Sequence, residues 1–316
     1  MTKERIIFMG TPEFAVATLK ALLEAGANVV GVITAPDRKS GRGMKLRPSA
    51  VKKFALGNNL KVLQPNNLKS EEFLAELRSL EATLQIVVAF RMLPEVVWNM
   101  PKNGTFNLHA SLLPQYRGAA PINWAVINGE KESGVTTFFL QHRIDTGDII
   151  LQERVAITDN MTAGELHDEL MDFGAKLVVK TLDAIESGNC PSTPQNDSFE
   201  LKDAPKIFKD TCKIDWSKSV DEVYNLIRGL SPYPAAFTTL FDGKSELGLK
   251  IFQSEKKGKE PTEKLGVLSV KDGRVFISCA DGWLEILELQ LAGKKRMKTA
   301  DLLRGTDLAS FTVTQD

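Results

Sequence analysis

Cysteine is scarce in this chain. Only Cys190, Cys212 and Cys279 occur in 316 residues. Their odd number and wide separation exclude a disulfide framework and any zinc-ligand spacing, and they fit a reducing compartment. Histidine is as rare, with His109, His142 and His167 alone. Net charge is lacking too: 40 Lys and Arg balance 40 Asp and Glu. The global balance therefore announces neither nucleic acid nor membrane. The apolar run after Met1-Thr2-Lys3-Glu4-Arg5 is too short for a signal h-region or a membrane span. There is no internal repeat and no low-complexity tract. A dinucleotide fingerprint is missing as well, because no glycine follows Gly10-Thr11-Pro12 at the G-x-G-x-x-G positions. No Ser or Cys stands with a base that would activate it as a nucleophile. What remains is 43% apolar and 25% charged, ordinary for a soluble globular protein. The length suits one large and one small domain. A cytoplasmic, monomeric protein with no metal and no membrane partner is the expectation.

Strand-like and helix-like periodicities alternate through the first half. Residues 5–9, 28–34, 84–89 and 104–108 read as strands, with 135–140 and 149–155 following. Helical patterns cover 12–26, 49–56, 70–80, 120–128 and 162–187. This alternation predicts an α/β domain with a mostly parallel sheet. Between 188 and 209 the pattern breaks into Pro, Ser, Asn, Asp and Lys, as in a linker or exposed loop. One helix at 219–228 comes next, then short β-prone runs at 236–241, 249–253, 266–270, 275–278 and 284–291. Asp242-Gly243 and Asp272-Gly273 mark turns between them. A small closed barrel is the expected form. The division that follows is 1–189, a linker at 190–208, and 209–316.

The run Phe106-Asn107-Leu108-His109-Ala110-Ser111-Leu112-Leu113-Pro114 carries the chemistry. Residues two apart on a strand share a face, so Asn107 and His109 project together if the strand reaches His109. A carboxamide offers neutral donors, and an imidazole exchanges protons near neutral pH. Ligands in open α/β sheets sit beyond the carboxyl ends of strands, where this pair falls. A packed core histidine is the competing explanation. Asp145, in Ile144-Asp145-Thr146-Gly147-Asp148, is a candidate to orient His109, although Asp-Thr-Gly-Asp is also a plain turn. His142 is the rival histidine, and His167 lies in a helical stretch. Between Asp37 and Lys53 stand Arg38, Lys39, Arg42, Lys45, Arg47, Lys52 and Lys53, seven basic residues against Asp37. With Ser40-Gly41-Arg42-Gly43 they read as a mobile insertion suited to phosphates. A second basic cluster is Lys294-Lys295-Arg296-Met297-Lys298. Two such patches on a neutral chain suggest a large polyanion held by both domains.

The chain resembles the methionyl-tRNA formyltransferase family. The resemblance rests on Asn107-Leu108-His109, on Ser111-Leu112-Leu113-Pro114-Gln115-Tyr116-Arg117-Gly118-Ala119-Ala120-Pro121-Ile122 and on Asp145-Thr146-Gly147. It extends to Phe8-Met9-Gly10-Thr11-Pro12-Glu13-Phe14-Ala15, Pro36-Asp37-Arg38, Gly41-Arg42-Gly43, Lys213-Ile214-Asp215-Trp216 and Ala292-Gly293-Lys294-Lys295, nearly the whole chain. It implies a Rossmann-like formyltransferase domain followed by an OB-like β-barrel that binds tRNA. The implied reaction moves a formyl group from 10-formyltetrahydrofolate to the amino group of methionyl initiator tRNA, in support of translation initiation. The implied catalytic residues are Asn107, His109 and Asp145. The implied folate contacts are Ser111, Leu112, Leu113 and Pro114. Arg38, Arg42, Lys45, Lys294 and Lys295 are the expected tRNA contacts.

Two positions depart from the family. Phe90-Arg91-Met92-Leu93-Pro94 replaces a frequent aromatic-Gly pair at the edge of the pterin pocket, and His142 stands where an acidic or apolar residue is usual. Three alternatives share parts of the pattern: a formyltransferase for a small amine, a formyltetrahydrofolate hydrolase, and a silent RNA-binding relative. The basic insertion and the second domain argue against the first, since a small substrate needs neither. The intact Asn, His and Asp argue against the last.

Overall fold

The computed structural model describes residues 3–40, 44–198, 200–258 and 264–314. The chain forms two compact units that interleave along the sequence. One comprises Met1–Gly118, Ser133–Val155 and His167–Asp203; the other comprises Ala119–Glu132, Ala156–Leu166 and Ala204–Asp316.

The elements begin with β1 (Arg5–Gly10), α1 (Glu13–Glu24), β2 (Asn28–Ile33), β3 (Arg38–Ser40), β4 (Lys45–Arg47), α2 (Ala50–Gly57) and β5 (Val62–Leu63). They continue through α3 (Glu71–Ser79), β6 (Leu84–Val88), α4 (Glu95–Trp98), β7 (Thr105–His109), β8 (Arg117–Gly118), α5 (Pro121–Ile127), β9 (Glu132–Phe139), β10 (Ile149–Ala156) and α6 (Ala163–Glu186). Seven strands make the first sheet, in the order β10-β9-β7-β6-β1-β2-β5. The pairs β2–β5, β1–β2, β1–β6 and β6–β7 are parallel, and β7–β9 is antiparallel. The mostly parallel sheet read from the sequence is therefore present. In its centre, Ile6, Ile7, Phe8 and Met9 are all fully buried, as a parallel strand covered on both faces requires. Ile7 and Met9 join Ile33, Leu74, Leu77, Val87 and Val97 in one core cluster. On α6, a Cβ at Gly174 would stand 2.8 Å from Leu108 Cδ2, so the helix lies close on β7. Strand order reverses at β1, flanked by β2 on one side and β6 on the other. That reversal opens a crevice beyond the strand ends. β7, next to β6, delivers Asn107 and His109 to the same end.

The second unit contains α5 and, further on, β11 (Asp203–Ala204) from Ala204, α7 (Val220–Leu230), β12 (Ala236–Phe241), β13 (Glu246–Lys257), β14 (Leu268–Lys271), β15 (Arg274–Cys279), β16 (Gly282–Leu291), β17 (Met297–Lys298), α8 (Thr299–Leu303) and β18 (Thr312–Val313). A capping box between Ser219 and Glu222 starts α7, satisfying amide groups a helix start leaves open. The sheet order is β14-β15-β16-β13-β12-β18, with β17 on β16. Register breaks between Ile251 and Ser254 interrupt the long β13, and irregularities of this kind bend a strand. The 3-10 turn Leu308–Ser310 packs against β14, while β18 pairs with β12. One C-terminal segment thus spans both edges of the barrel-like antiparallel sheet. No helix among the described residues is long and apolar enough to cross a membrane.

In the basic insertion, β3 and β4 pair as an antiparallel ladder, Arg38 opposite Arg47. The sequence suggests only a mobile loop there, because its composition hides a two-strand pairing three residues long. Arg42 lies outside the described residues. At the base of this hairpin, Asp37 accepts hydrogen bonds from Gln64 Nε2 (2.8 Å) and Lys52 Nζ (2.7 Å). These bonds, Gln64's first, hold the Asp37 carboxyl below the ordinary aspartate range. A depressed folded value means that the anchor is complete above the unfolded aspartate value of roughly 3.9 and is lost as pH falls through the lower folded one. Gln64→Ala should move the Asp37 titration upward toward the ordinary value, read by carboxyl NMR; an unmoved titration would show that Gln64 does not set it.

Candidate active site

Strand β7 ends at His109, so Asn107 and His109 face the same side of the sheet. The Asn107 carboxamide is half-buried and meets no hydrogen-bond partner among the described residues. His109 is only 7% exposed. Its Nε2 lies 2.8 Å from the Tyr116 carbonyl oxygen. A carbonyl only accepts, so Nε2 carries a proton, and Nδ1 is the nitrogen left for proton exchange. Nδ1 stands 3.9 Å from Asp145 Oδ2, within ion-pair range of an imidazolium but too long for a direct hydrogen bond. The structure therefore brings together all three candidates, separated by up to 38 positions in sequence.

The corner after His109 is held from inside. Thr136 Oγ1 donates to the Ser111 carbonyl (2.6 Å) and accepts from the Leu113 amide (3.2 Å). Gln152 Nε2 donates to the Leu113 carbonyl at 2.9 Å, and Ser111 Oγ donates to the Gln115 carbonyl at 2.7 Å. Ser111 and Leu113 are buried, whereas Leu112 and Pro114 keep exposed surface. Tyr116 follows with φ +61°, and its carbonyl meets His109 Nε2.

Asp145 has φ +53°, a region that Asp tolerates better than most residues. Its Oδ2 accepts from the Gly118 amide at 2.9 Å. Its carbonyl accepts from Arg117 Nε (3.1 Å) and Gln195 Nε2 (2.9 Å). Gln195 falls in the stretch read as a linker, and sequence reasoning missed it, as it missed the Gly118 amide and Thr136. The only local hint is that Gln195 is half-buried among exposed neighbours, which no composition reveals.

The other candidates lie elsewhere. His142 is exposed, 3.6 Å from Glu95 and edge-on to Trp98. His167 packs edge-on to Phe14 and pairs with Asp168. Arg91 reaches the Asn66 carbonyl (3.0 Å) and that of Pro65. Burial, and then the nearby Arg38, lowers its pKa. Asn66–Lys69 and Arg91–Val96 line an open cavity of about 960 Å³. Arg38 is exposed, and the Lys45 backbone pairs with Ser40. Lys294 donates to Thr306 Oγ1 at 2.8 Å, and Lys295 is exposed. Arg296, by contrast, is engaged with Glu288 and the Phe252 ring. Burial raises all three thiols, Cys279 to about 12, so none is a ready thiolate. No group of three metal-ligating side chains occurs among the described residues.

The family model described as formyl transferase matches residues 4–182, and the model described as formyl transferase, C-terminal domain, matches 206–307. The Bacteroides fragilis methionyl-tRNA formyltransferase is 57% identical over 98% of this chain and 97% of its own length. The Parabacteroides distasonis methionyl-tRNA formyltransferase is 58% identical over 99% of this chain and 100% of its own. Among solved structures, WlaRD, a sugar 3N-formyl transferase determined with dTDP and 5-N-formyl-THF, aligns with a TM-score of 0.67 at 23% identity, covering 93% of this chain and 100% of that one. HypX from Aquifex aeolicus with tetrahydrofolic acid aligns at 0.64 and 19%, covering 96% and 47%. The chain belongs to the methionyl-tRNA formyltransferase family.

Proposed function

We propose that the chain transfers the formyl group of 10-formyltetrahydrofolate to the α-amine of methionyl initiator tRNA, with Asn107, His109 and Asp145 as the catalytic residues. The observation that supports the site most directly is the Asn107 carboxamide, without a hydrogen-bond partner among the described residues, beside the buried His109. The bound donor supplies an activated formyl carbon. In the transfer, a C–N bond forms to the methionyl amine, the bond to N10 breaks, and one proton passes from the amine to N10. Asn107 N–H groups meet the negative charge that develops on the formyl oxygen. His109 takes the amine proton at Nδ1 and returns it toward N10. The Asp145 carboxylate, 3.9 Å away, faces the imidazolium formed in between. Leu112 and Pro114 offer the exposed surface of the corner to the folate, while Ser111 and Leu113 keep its shape.

Residues 1–189 serve as the catalytic domain and 209–316 as the tRNA-binding domain in this reading, joined through 190–208. Arg38, Arg42, Lys45, Lys294 and Lys295 contact tRNA phosphates. The cytoplasm, where charged tRNA and reduced folate are both found, is the proposed location, and a monomer the proposed state.

Incubation with 10-formyltetrahydrofolate and charged initiator tRNA should yield formyl-methionyl-tRNA; hydrolysis of the donor without formylated tRNA would overturn the reading. KM for tRNA should rise with salt, and Lys295→Ala should reduce the log–log slope by about 1. A flat dependence would show that the basic residues are a solvated face only.

A further inference from the structure

We propose that Gln195, together with Arg117, is the positioning residue that fixes Asp145 for catalysis. The inference rests on the catalytic reading of Asp145 above. It draws on a segment, 192–197, whose composition marks it as an exposed connection. In the fold this segment returns to the strand-end cluster. Thr193 and Ile149 exchange backbone hydrogen bonds of 2.9 and 2.8 Å, and Ser192 Oγ donates to Asp148 at 2.8 Å.

Gln195 sits between, and its carboxamide is fully committed. Nε2 donates one hydrogen to the Asp145 carbonyl (2.9 Å) and the other to the Gly147 carbonyl (2.8 Å). Oε1 accepts from Arg117 Nη2 (2.6 Å) and Nε (3.1 Å). Arg117 Nε also reaches the Asp145 carbonyl at 3.1 Å, and its Nη2 pairs with Asp197 at 2.8 Å.

The requirement for such a clamp follows from the backbone. Asp145 has φ +53°, a sparsely populated conformation even for Asp, which surrounding bonds must hold. Among the described residues its carboxylate receives a hydrogen bond from the Gly118 amide alone, and the 3.9 Å gap to His109 leaves no hydrogen bond there to hold the side chain. The bonds that fix the loop are thus made to its carbonyls, and the Gln195 amide supplies two of them. A carboxylate at this position keeps the acceptor that Arg117 needs but turns both donors into acceptors facing carbonyl oxygens. Gln195→Glu is therefore as informative as Gln195→Ala.

The test is a kinetic double-mutant cycle on the full chain. Gln195→Ala and Gln195→Glu should each lower kcat on the order of 10-fold or more, the effect of a small misplacement. KM for both substrates should stay within about twofold. The pH profile of kcat should be displaced, a response that a loss of stability alone does not produce. In the Asp145→Ala background, Gln195→Ala should lower kcat no further, because the group it places is already gone. Wild-type kcat in either Gln195 variant, or additive losses in the double variant, would overturn the proposal while leaving the role of Asp145 standing. Wild-type kcat in Asp145→Ala would overturn the reading of Asp145, and the proposal with it.

Discussion

Asn107→Ala is expected to lower kcat by about 10²- to 10³-fold, the loss of roughly 3–4 kcal/mol that follows removal of one donor at a developing oxyanion. KM for both substrates should change little, because the interaction strengthens only as charge builds on the formyl oxygen. Stability should hardly change either: the carboxamide has no partner within the described protein whose bond would be lost. Asn107→Asp tests the same point by charge. It keeps the shape but sets a carboxylate against the incipient oxyanion, so its kcat should be at least as low as that of the alanine variant. His109→Ala provides the contrast. It should also depress kcat, but with a cost in stability, since it removes the N–H that the Tyr116 carbonyl accepts at 2.8 Å. Steady-state kinetics and thermal melts on the three variants separate these effects. Asn107→Ala with near-wild-type kcat would remove the carboxamide from the mechanism.

The second large effect is expected at Gly147, two residues beyond Asp145. A Cβ built there falls 1.6 Å from the Phe139 carbonyl oxygen and 2.8 Å from its carbon. Those are backbone atoms of β9 in the first sheet, so no side-chain rotation relieves the overlap. Gly147→Ala should cost on the order of 3 kcal/mol, at the upper end of overpacking penalties. The loop must shift as it accommodates the methyl group. A displacement of about 1 Å at Asp145 is enough for a loss of roughly 100-fold in kcat. Gly57→Ala is the control. A Cβ at this position in α2 meets nothing within 4 Å, so the substitution should be neutral or stabilise by up to about 1 kcal/mol through the helix preference. Chemical denaturation and kcat on both variants check the pair. A Gly147→Ala protein as stable and active as the parent would show that the loop backbone can yield, and the tight approach to Phe139 would lose its significance.

Most strands of the first sheet are legible in the sequence because short apolar runs and turn residues act over a few positions. The run ending in Met9 is both a local pattern and, in the fold, a strand buried on its two faces. The strands of the barrel-like sheet are legible for a like reason, Asp-Gly turns separating several of them. The hairpin of Arg38–Ser40 with Lys45–Arg47 is not, since three-residue strands of mostly charged side chains carry no burial signal. Residues 190–208 show the same limit more sharply. Pro, Ser, Asn and Asp read as an irregular connection, but nothing local to Gln195 tells that its amide ends on the carbonyls of Asp145 and Gly147.

By itself the sequence determined the order of the longer strands and helices, the common face of Asn107 and His109, and the supply of one carboxylate in a turn. These follow from periodicity and residue chemistry within short windows. Only the tertiary structure decided that Asp145 meets His109 and that Nδ1 is the nitrogen facing it. It alone placed the Tyr116 carbonyl on Nε2 and brought Gln195 back to the site. Contacts across 36 or 50 positions depend on how the strands pair and where the chain returns, and no short window of sequence contains that information.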